Sequence, residues 1–479
     1  MQKDFDETIQ KLQQELKAME NRALKAERSV DELKEANLEL RRNLYAVETE
    51  LEEEREKNQK LTALVNRDHE NSSMPSSLKP NRKKITNNRE KTGRKPGGQA
   101  GHKGHGRKKQ TPTIIVEIPA PKKYLNNPEY ETAGIKKHRQ KIGIRVLLDV
   151  VEYHTEVFRH KKTGKLVHAA FPEGVNNDVN YDGSVKAFAF LLNNFCNVSI
   201  AKVRQILSDL TNGALEISTG MINGLSREFA AKTAAQQSEI FSALVAAEVL
   251  NVDFTSAKVN GKNANVFICA TPEQAAFYAK ERKGHEGIKG TPAELNGNIL
   301  VHDHDRTYYS YGRLHQECLI HILRYLLASM QNEKDLVWNV NMRELLREMI
   351  HYRNSLGEEE DPDPDKIREF ESRFDVILDT AEKEYDYEPP SKYFRDGYNL
   401  YRRMREYKDA CLLFLHDKNV PSDNNRCERL ARIFKRKQKQ AMTFRSFHSL
   451  ACLCQCLTVM ETLRSQNVNF YQSIVNVFD

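Results

Sequence analysis

The first 195 residues contain no cysteine, and the eight cysteines between Cys196 and Cys456 have no spacing that suggests a disulfide framework. A stapled secreted scaffold is thereby excluded, and a reducing, cytoplasmic setting is the expectation. No apolar run reaches the roughly 18 to 20 residues of a membrane span. The longest near the C-terminus, Leu450 to Met460, is shorter and is interrupted by Gln455. No membrane partner is expected. The opening Met-Gln-Lys-Asp carries no apolar stretch, so a secretory signal is not expected either. Cys452, Cys454 and Cys456 sit in that apolar stretch, where a step of two on a helix turns each side chain about 200° from the last. They read as buried core thiols rather than metal ligands.

Apolar residues make up 39% of the 479-residue chain and charged residues 29%, enough for real cores under a polar surface. The net charge of +7 is unevenly placed. Residues 79–109 hold twelve Lys or Arg against the single acid Glu90, a local net of +11. Such a block in an otherwise near-neutral chain points to nucleic acid.

Residues 1–66 have no proline or glycine and carry a heptad seam. Alternate steps of four and three from Phe5 to Val65 pass through eighteen positions, fifteen of them apolar. This predicts a long coiled coil and a homodimer or higher oligomer. Asn37 and Asn58 fall at a positions, which favours a parallel pair in fixed register; an antiparallel pair stays open. Residues 67–110 form a basic, glycine-rich linker in which glycine and chain entropy preclude a packed core. Cations interleaved with glycine suit an arm along a phosphate backbone. Its candidate DNA contacts are Arg82, Lys83, Lys84, Arg94, Lys95, His102, Lys103, His105, Arg107, Lys108 and Lys109.

Residues 111–180 read as a small β domain with strands at 113–118, 142–151 and 153–160. Residues 181–245 read as helical. There Ile200 to Thr211 and a segment opening at Ser218 fit either a helix-turn-helix or a plain helical core element. From Val249 strands return, at 249–253, 264–270, 275–280 and 298–303, which suggests a mixed α/β core over 246–320. Residues 321–417 read as mostly helical, interrupted by an acidic, proline-containing loop at 358–365. Residues 418–479 read as the closing helices of the core. The fold class is thus multidomain α/β.

Three acids have suggestive positions. Asp253 and Asp303 each end an apolar strand, and Glu428 lies one turn into a helix rich in Arg426, Arg429 and Arg432. Acids at the carboxyl edge of an α/β sheet stand where sites form. Alone, each aspartate could be a turn or cap residue and Glu428 an ion-pair partner.

Several strings resemble insertion sequence 66 family transposases. They are Asn71-Ser72-Ser73 with Pro75-Ser76-Ser77, Lys95-Pro96-Gly97-Gly98-Gln99 and Gly101-His102-Lys103-Gly104-His105. Val301-His302-Asp303-His304, Cys318 with His321 and Arg324, Asp423-Asn424-Asn425-Arg426-Cys427-Glu428-Arg429, and Phe444-Arg445-Ser446 continue the likeness. The resemblance implies a ribonuclease-H-like catalytic core, with the helical block 321–417 as an insertion in it, and a DNA transposase of the three-carboxylate (DDE) type. Its metal-binding catalytic acids would be Asp253, Asp303 and Glu428, with Asp305 as the rival second acid on the same strand face.

The implied cofactors are two Mg²⁺ ions, with Mn²⁺ as the alternative. The implied partners are transposon-end and target DNA, with small accessory proteins often accompanying the family, in a bacterial, nucleoid-associated setting. Arg426, Arg429 and Arg432 join the expected DNA contacts, and His304 or Arg429 could orient a phosphate. The competing readings are a non-catalytic DNA-binding assembly protein and a nuclease that cuts without strand transfer. Two departures stand out. Phe254 follows Asp253 where the family usually has a second acid. Residues 111–180 lack the cysteines of the family's zinc module, and His138, His154, His160 and His168 have no zinc-like pairing, so zinc is not expected there.

Overall fold

The computed structural model describes residues 2–67, 101, 103, 108–125, 127–144, 146–357, 360–385 and 396–479. The basic contacts at Arg82, Lys83, Lys84, Arg94, Lys95, His102, His105 and Arg107 lie outside the described residues. In chain order the elements are α1 (Gln2–Asn66), α2 (Lys122–Leu125), β1 (Val157–Arg159), β2 (Leu166–His168), α3 (Gly183–Asn194), α4 (Ile200–Leu210), α5 (Thr219–Lys232) and α6 (Ala234–Ala246). There follow β3 (Val249–Val259), β4 (Lys262–Ala270), β5 (Ala275–Lys280), α7 (His285–Ile288), α8 (Pro292–Leu295), β6 (Ile299–His302) and β7 (Leu314–Glu317). The rest is helical: α9 (Leu319–Asn332), α10 (Trp338–Ser355), α11 (Pro364–Glu384), α12 (Asp396–Glu406), α13 (Lys408–His416), α14 (Asn425–Ala441), α15 (Phe447–Ser465) and α16 (Phe470–Phe478). None of the described helices is long and apolar enough to cross a membrane.

The chain divides into two compact units, residues 80–232 with 469–479, and residues 1–79 with 233–468. In the first, Phe190 of α3 stacks on Phe229 of α5 at 4.5 Å, and Phe478 of α16 closes the cluster at 5.6 Å and 5.8 Å. The last helix therefore belongs here and not with the core helices expected over 418–479; an amphipathic face cannot announce a partner some 280 residues away. Ser218 caps α5 through Met221 N, as read, but the connection from α4 covers 211–218. That is longer than the turn of about three or four residues in a helix-turn-helix.

The small β domain is also corrected. Among the described residues of 111–180 only β1 and β2 pair, antiparallel, and 113–118 and 142–151 are not strands. Ile114, Ile115, Val116, Ile118 and Leu147 stay exposed, because an apolar run becomes a strand only when a neighbour supplies the other half of the ladder.

In the second unit α1 is a single continuous helix, as the heptads required, and its seam is exposed in the isolated chain; Leu12, Leu33 and Leu40 are examples. Asn66 at its end bonds Asn332 of α9 at 3.0 Å. The core sheet has the order β5-β4-β3-β6-β7, with β3, β4 and β5 antiparallel and β6 and β7 parallel to β3. The β3–β4 hairpin turns on Asn260 and Gly261, both at positive φ (47° and 77°), the conformation a two-residue turn demands. The edge strand β5 is covered by α15. Thr458 and Thr462, one turn apart, accept from Phe277 N at 2.9 Å and Ala275 N at 3.1 Å. These hydroxyls satisfy an edge that would otherwise seek another strand. Cys452, Cys454 and Cys456 are buried in α15, as expected of core thiols. Helices α9 to α13 form the insertion, and their core around Trp338, Phe370 and Phe374 continues into Ile299 and Val301 of β6.

Candidate active site

Asp253 lies in the middle of β3 and not at its end, since pairing with β4 extends the strand to Val259. Asp303 stands one residue beyond β6, and Glu428 lies in the first turn of α14. Asp253 is half-buried, and its removal from water holds its carboxyl well above the usual range; Asp303 and then Glu428 push it further up. Burial also raises Asp303, against the pull of His321. Asp253 thus lies within electrostatic reach of both other acids, although 125 residues separate Asp303 from Glu428.

The link that brings α14 to β3 is Asn424. Beyond the last β3–β6 pair, Asn251↔Val301, the Asn424 side chain donates to Val252 O at 2.8 Å and accepts from Asn251 Nδ2 at 2.9 Å. Its backbone N–H donates to Cys318 Sγ at 3.2 Å, and Leu319 N donates to Ser422 O at 3.0 Å. Both Asn424 and Asn251 are buried. The far end of α14 is tied as well, because Phe444 exchanges backbone bonds with Lys258 O and Asn260 N.

Sequence reading missed several neighbours of the acids. His321 stands between Glu428 and Asp303; its Nε2 is 3.8 Å from Glu428 Oε1, and burial pushes its pKa down while both acids pull it back. Its Nδ1 and Glu428 Oε1 are buried without a hydrogen-bond partner. Cys318, His321 and Glu428 offer ligand atoms within 4.8 Å of one another, which among the described residues is the group that could hold a metal ion. Lys283, for which the sequence carried no signal, draws both Asp253 and Asp303 down. Arg403, from the insertion, does the same to Asp303.

Behind Asp303 lies a buried network. His302 contacts Asp303 O through Nδ1 at 2.5 Å and His315 through Nε2 at 3.1 Å, and burial pushes its pKa down to about 4, so it is neutral at pH 7. Glu317 is fully buried. Although burial alone would raise it, His304 at 2.5 Å and the Arg403 guanidinium hold it down at about 2. This carboxylate anchors His304 beside the site and ties α12 to β7.

Other expected residues fall differently. Because β6 stops at His302, Asp305 shares no strand face with Asp303. It caps the 3-10 turn Arg306–Ser310 by accepting from Thr307 N at 3.0 Å; its backbone N–H donates to Asp303 O at 2.9 Å, and its charge raises Asp303. Arg426 turns inward, donating to Thr271 O at 3.0 Å and Ser465 Oγ at 2.8 Å, so its guanidinium is spent inside the fold and is unsuited to DNA. Arg429 and Arg432 are exposed on α14, and Arg432 bonds Glu428 Oε2 at 2.8 Å. Lys103, Lys108 and Lys109 are exposed. Phe254, in place of a second acid, packs on Phe267 at 4.6 Å and on Tyr308.

Compared with known families, residues 186–450 match the one described as "Transposase IS66 family". The match spans more than half of the chain and includes Asp253, Asp303 and Glu428. A comparison with curated proteins gave no match.

Proposed function

The chain belongs to the IS66 family of transposases, and on that footing we propose that it cuts transposon ends and joins them to target DNA, with Asp253, Asp303 and Glu428 as the catalytic carboxylates. The observation that carries the proposal is the convergence of Asp303 and Glu428 on Asp253, whose carboxyl both push up. Like charges gathered on one carboxylate are unfavourable until a cation joins them. The unpartnered Glu428 Oε1 fits the same requirement. The strand order and polarity of the sheet support a ribonuclease-H-like reading of the core.

Two Mg²⁺ ions, or Mn²⁺ in their place, would be held by these three acids and would absorb the charge that builds on a phosphodiester under in-line attack. The chain's own groups then have defined tasks. Asp253, central in β3 and paired across to Ile268 of β4, is the least movable of the three. Lys283 and Arg403 lower the cost of keeping the acids ionised. His304, anchored by Glu317, and Arg429 on the outer face of α14 orient phosphates. The reaction has two balanced steps. A water oxygen attacks phosphorus at the transposon end and the 3′-oxygen leaves; that 3′-hydroxyl then attacks a target phosphodiester, displacing its 3′-oxygen.

DNA contact is expected from Arg429, Arg432 and the segment 79–109, and the α1 seam is expected to pair two copies. The test is a purified Asp253→Asn variant on end DNA with Mg²⁺. Loss of both cleavage and joining is expected, and retained cleavage would refute the assignment. DNA binding without cleavage by the wild type would favour an assembly protein. Cleavage without joining would favour a nuclease.

A further inference from the structure

A pocket of about 410 Å³ opens beside Asp303, and of its lining the chemistry above uses only His304 and Arg403. Its size falls in the range of roughly 300–1,000 Å³ typical of sites for small molecules or single residues of a polymer. It is lined by His304 and Arg306 after β6, Tyr325 of α9, Arg402 and Arg403 of α12, and Tyr407. Two of these connect it to the acids. His304 follows Asp303 directly. Tyr325 stands one helical turn beyond His321, with ring centroids 6.5 Å apart, and His321 is the neighbour of Glu428.

The wall has two kinds of chemistry. One is aromatic: the Tyr407 ring meets His304 at 5.2 Å and Tyr309 at 4.4 Å, and the Arg403 guanidinium lies 5.7 Å from the Tyr325 centroid. The other is cationic. Arg403 is committed to Glu317; Arg306 and Arg402 are exposed at the pocket, Arg402 donating to Tyr398 Oη at 3.3 Å, and Arg67 lines it ahead of the basic segment 79–109. Asp396 and Glu406 also line it and offset part of that charge. A path for phosphates alone needs cations and no rings, whereas rings flanked by guanidinium groups suit a base and its phosphate together.

We propose that this pocket takes up one unstacked nucleotide of the DNA strand beside the scissile phosphate. The base lies against Tyr325 and Tyr407, and the phosphate faces Arg306 and Arg402. Its place next to the scissile bond rests on the transposase reading of the acids. The helical insertion would then supply the specificity wall of the site, holding the strand end still while the acids act.

The test uses full-length Asp253→Asn protein and a forked duplex whose single-stranded 3′ arm carries 2-aminopurine at one of several successive positions. Fluorescence should be quenched on binding at one position, where the base stacks on tyrosine. Tyr407→Ala and Tyr325→Ala should each remove that quench and weaken fork binding about tenfold, with less than about twofold effect on a fully paired duplex. Tyr407→Phe and Tyr325→Phe should keep the quench. Arg402→Ala, at an exposed position where the guanidinium contacts Tyr398, should weaken fork binding and reduce its salt dependence. A quench that survives both alanine variants overturns the proposal, as does equal quenching along the whole arm. Displacement of the fork by free dTMP as effectively as by a matching single strand overturns it in favour of a free-nucleotide site. If the Asp253→Asn protein cleaves DNA, the assignment of the acids fails while the position-specific quench still decides the pocket.

Discussion

Replacing Asn424 by alanine should loosen the attachment of α14 to β3 and with it the geometry of the acids. The wild-type side chain makes two buried bonds, to Val252 O and from Asn251 Nδ2. Its removal strands a carbonyl and an amide in a region where Asn424 is 2% and Asn251 5% exposed. Each buried polar group left without a partner costs about 1–3 kcal/mol, so the pair costs about 4 kcal/mol. For a folded unit of this size that corresponds to a fall in melting temperature of about 8–16 °C. Differential scanning calorimetry of the full chain would read it as a shift of one transition. The double variant Asn251→Leu with Asn424→Ala should lose less than the sum of the single changes, because both members of one bond are then gone. A fall below about 2 °C in Asn424→Ala, or strict additivity in the double variant, would refute the claim that this contact anchors the glutamate helix.

Other outcomes follow from the same groups. Asp253 has its folded pKa raised above an unfolded value of about 3.9, so the metal-free protein should lose stability as pH climbs from about 4. Asp253→Asn should then melt higher than wild type at neutral pH without metal, and Mg²⁺ should stabilise only the wild type; a variant that melts lower across the whole pH range would contradict this. Glu317 is the reverse case. Its folded value of about 2 lies below the unfolded value, so its contribution is complete above about pH 5 and disappears as pH falls toward 2. Glu317→Gln should cost about 3–5 kcal/mol at pH 7 by leaving Arg403 buried without its counter-charge, measurable by urea denaturation. Gly287→Ala should destabilise by about 1–3 kcal/mol, because a Cβ there would sit 2.6 Å from Phe254 Cζ and 2.7 Å from Arg282 O. Finally, the paired change Leu33→Lys and Leu40→Lys in the exposed seam should convert an oligomer to a monomer by light scattering while leaving the melting of the core sheet unchanged.

Sequence alone determined the elements that depend on local pattern. The helix over residues 2–66 follows from its heptads and its lack of proline and glycine, the strand segments of the core from their apolar runs, and the helices of 321–417 from their periodicity. The acid positions were legible because strings such as Asp423 to Arg429 are contiguous. Long-range partnership was decided only by the tertiary structure. The position of Asp253 within β3, and not at its end, depends on pairing with β4. The assignment of α16 to the helical unit depends on Phe190 and Phe229, and the inward turn of Arg426 on Thr271 and Ser465. The aliphatic runs at 113–118 and 142–151 show the limit from the other side: β propensity without a neighbouring strand leaves the backbone unpaired. Helix and turn preferences are satisfied within a few residues and so can be read from the chain. Strand pairing, burial of a charge and the meeting of distant acids are satisfied only by groups far away in sequence, and these the fold alone selects.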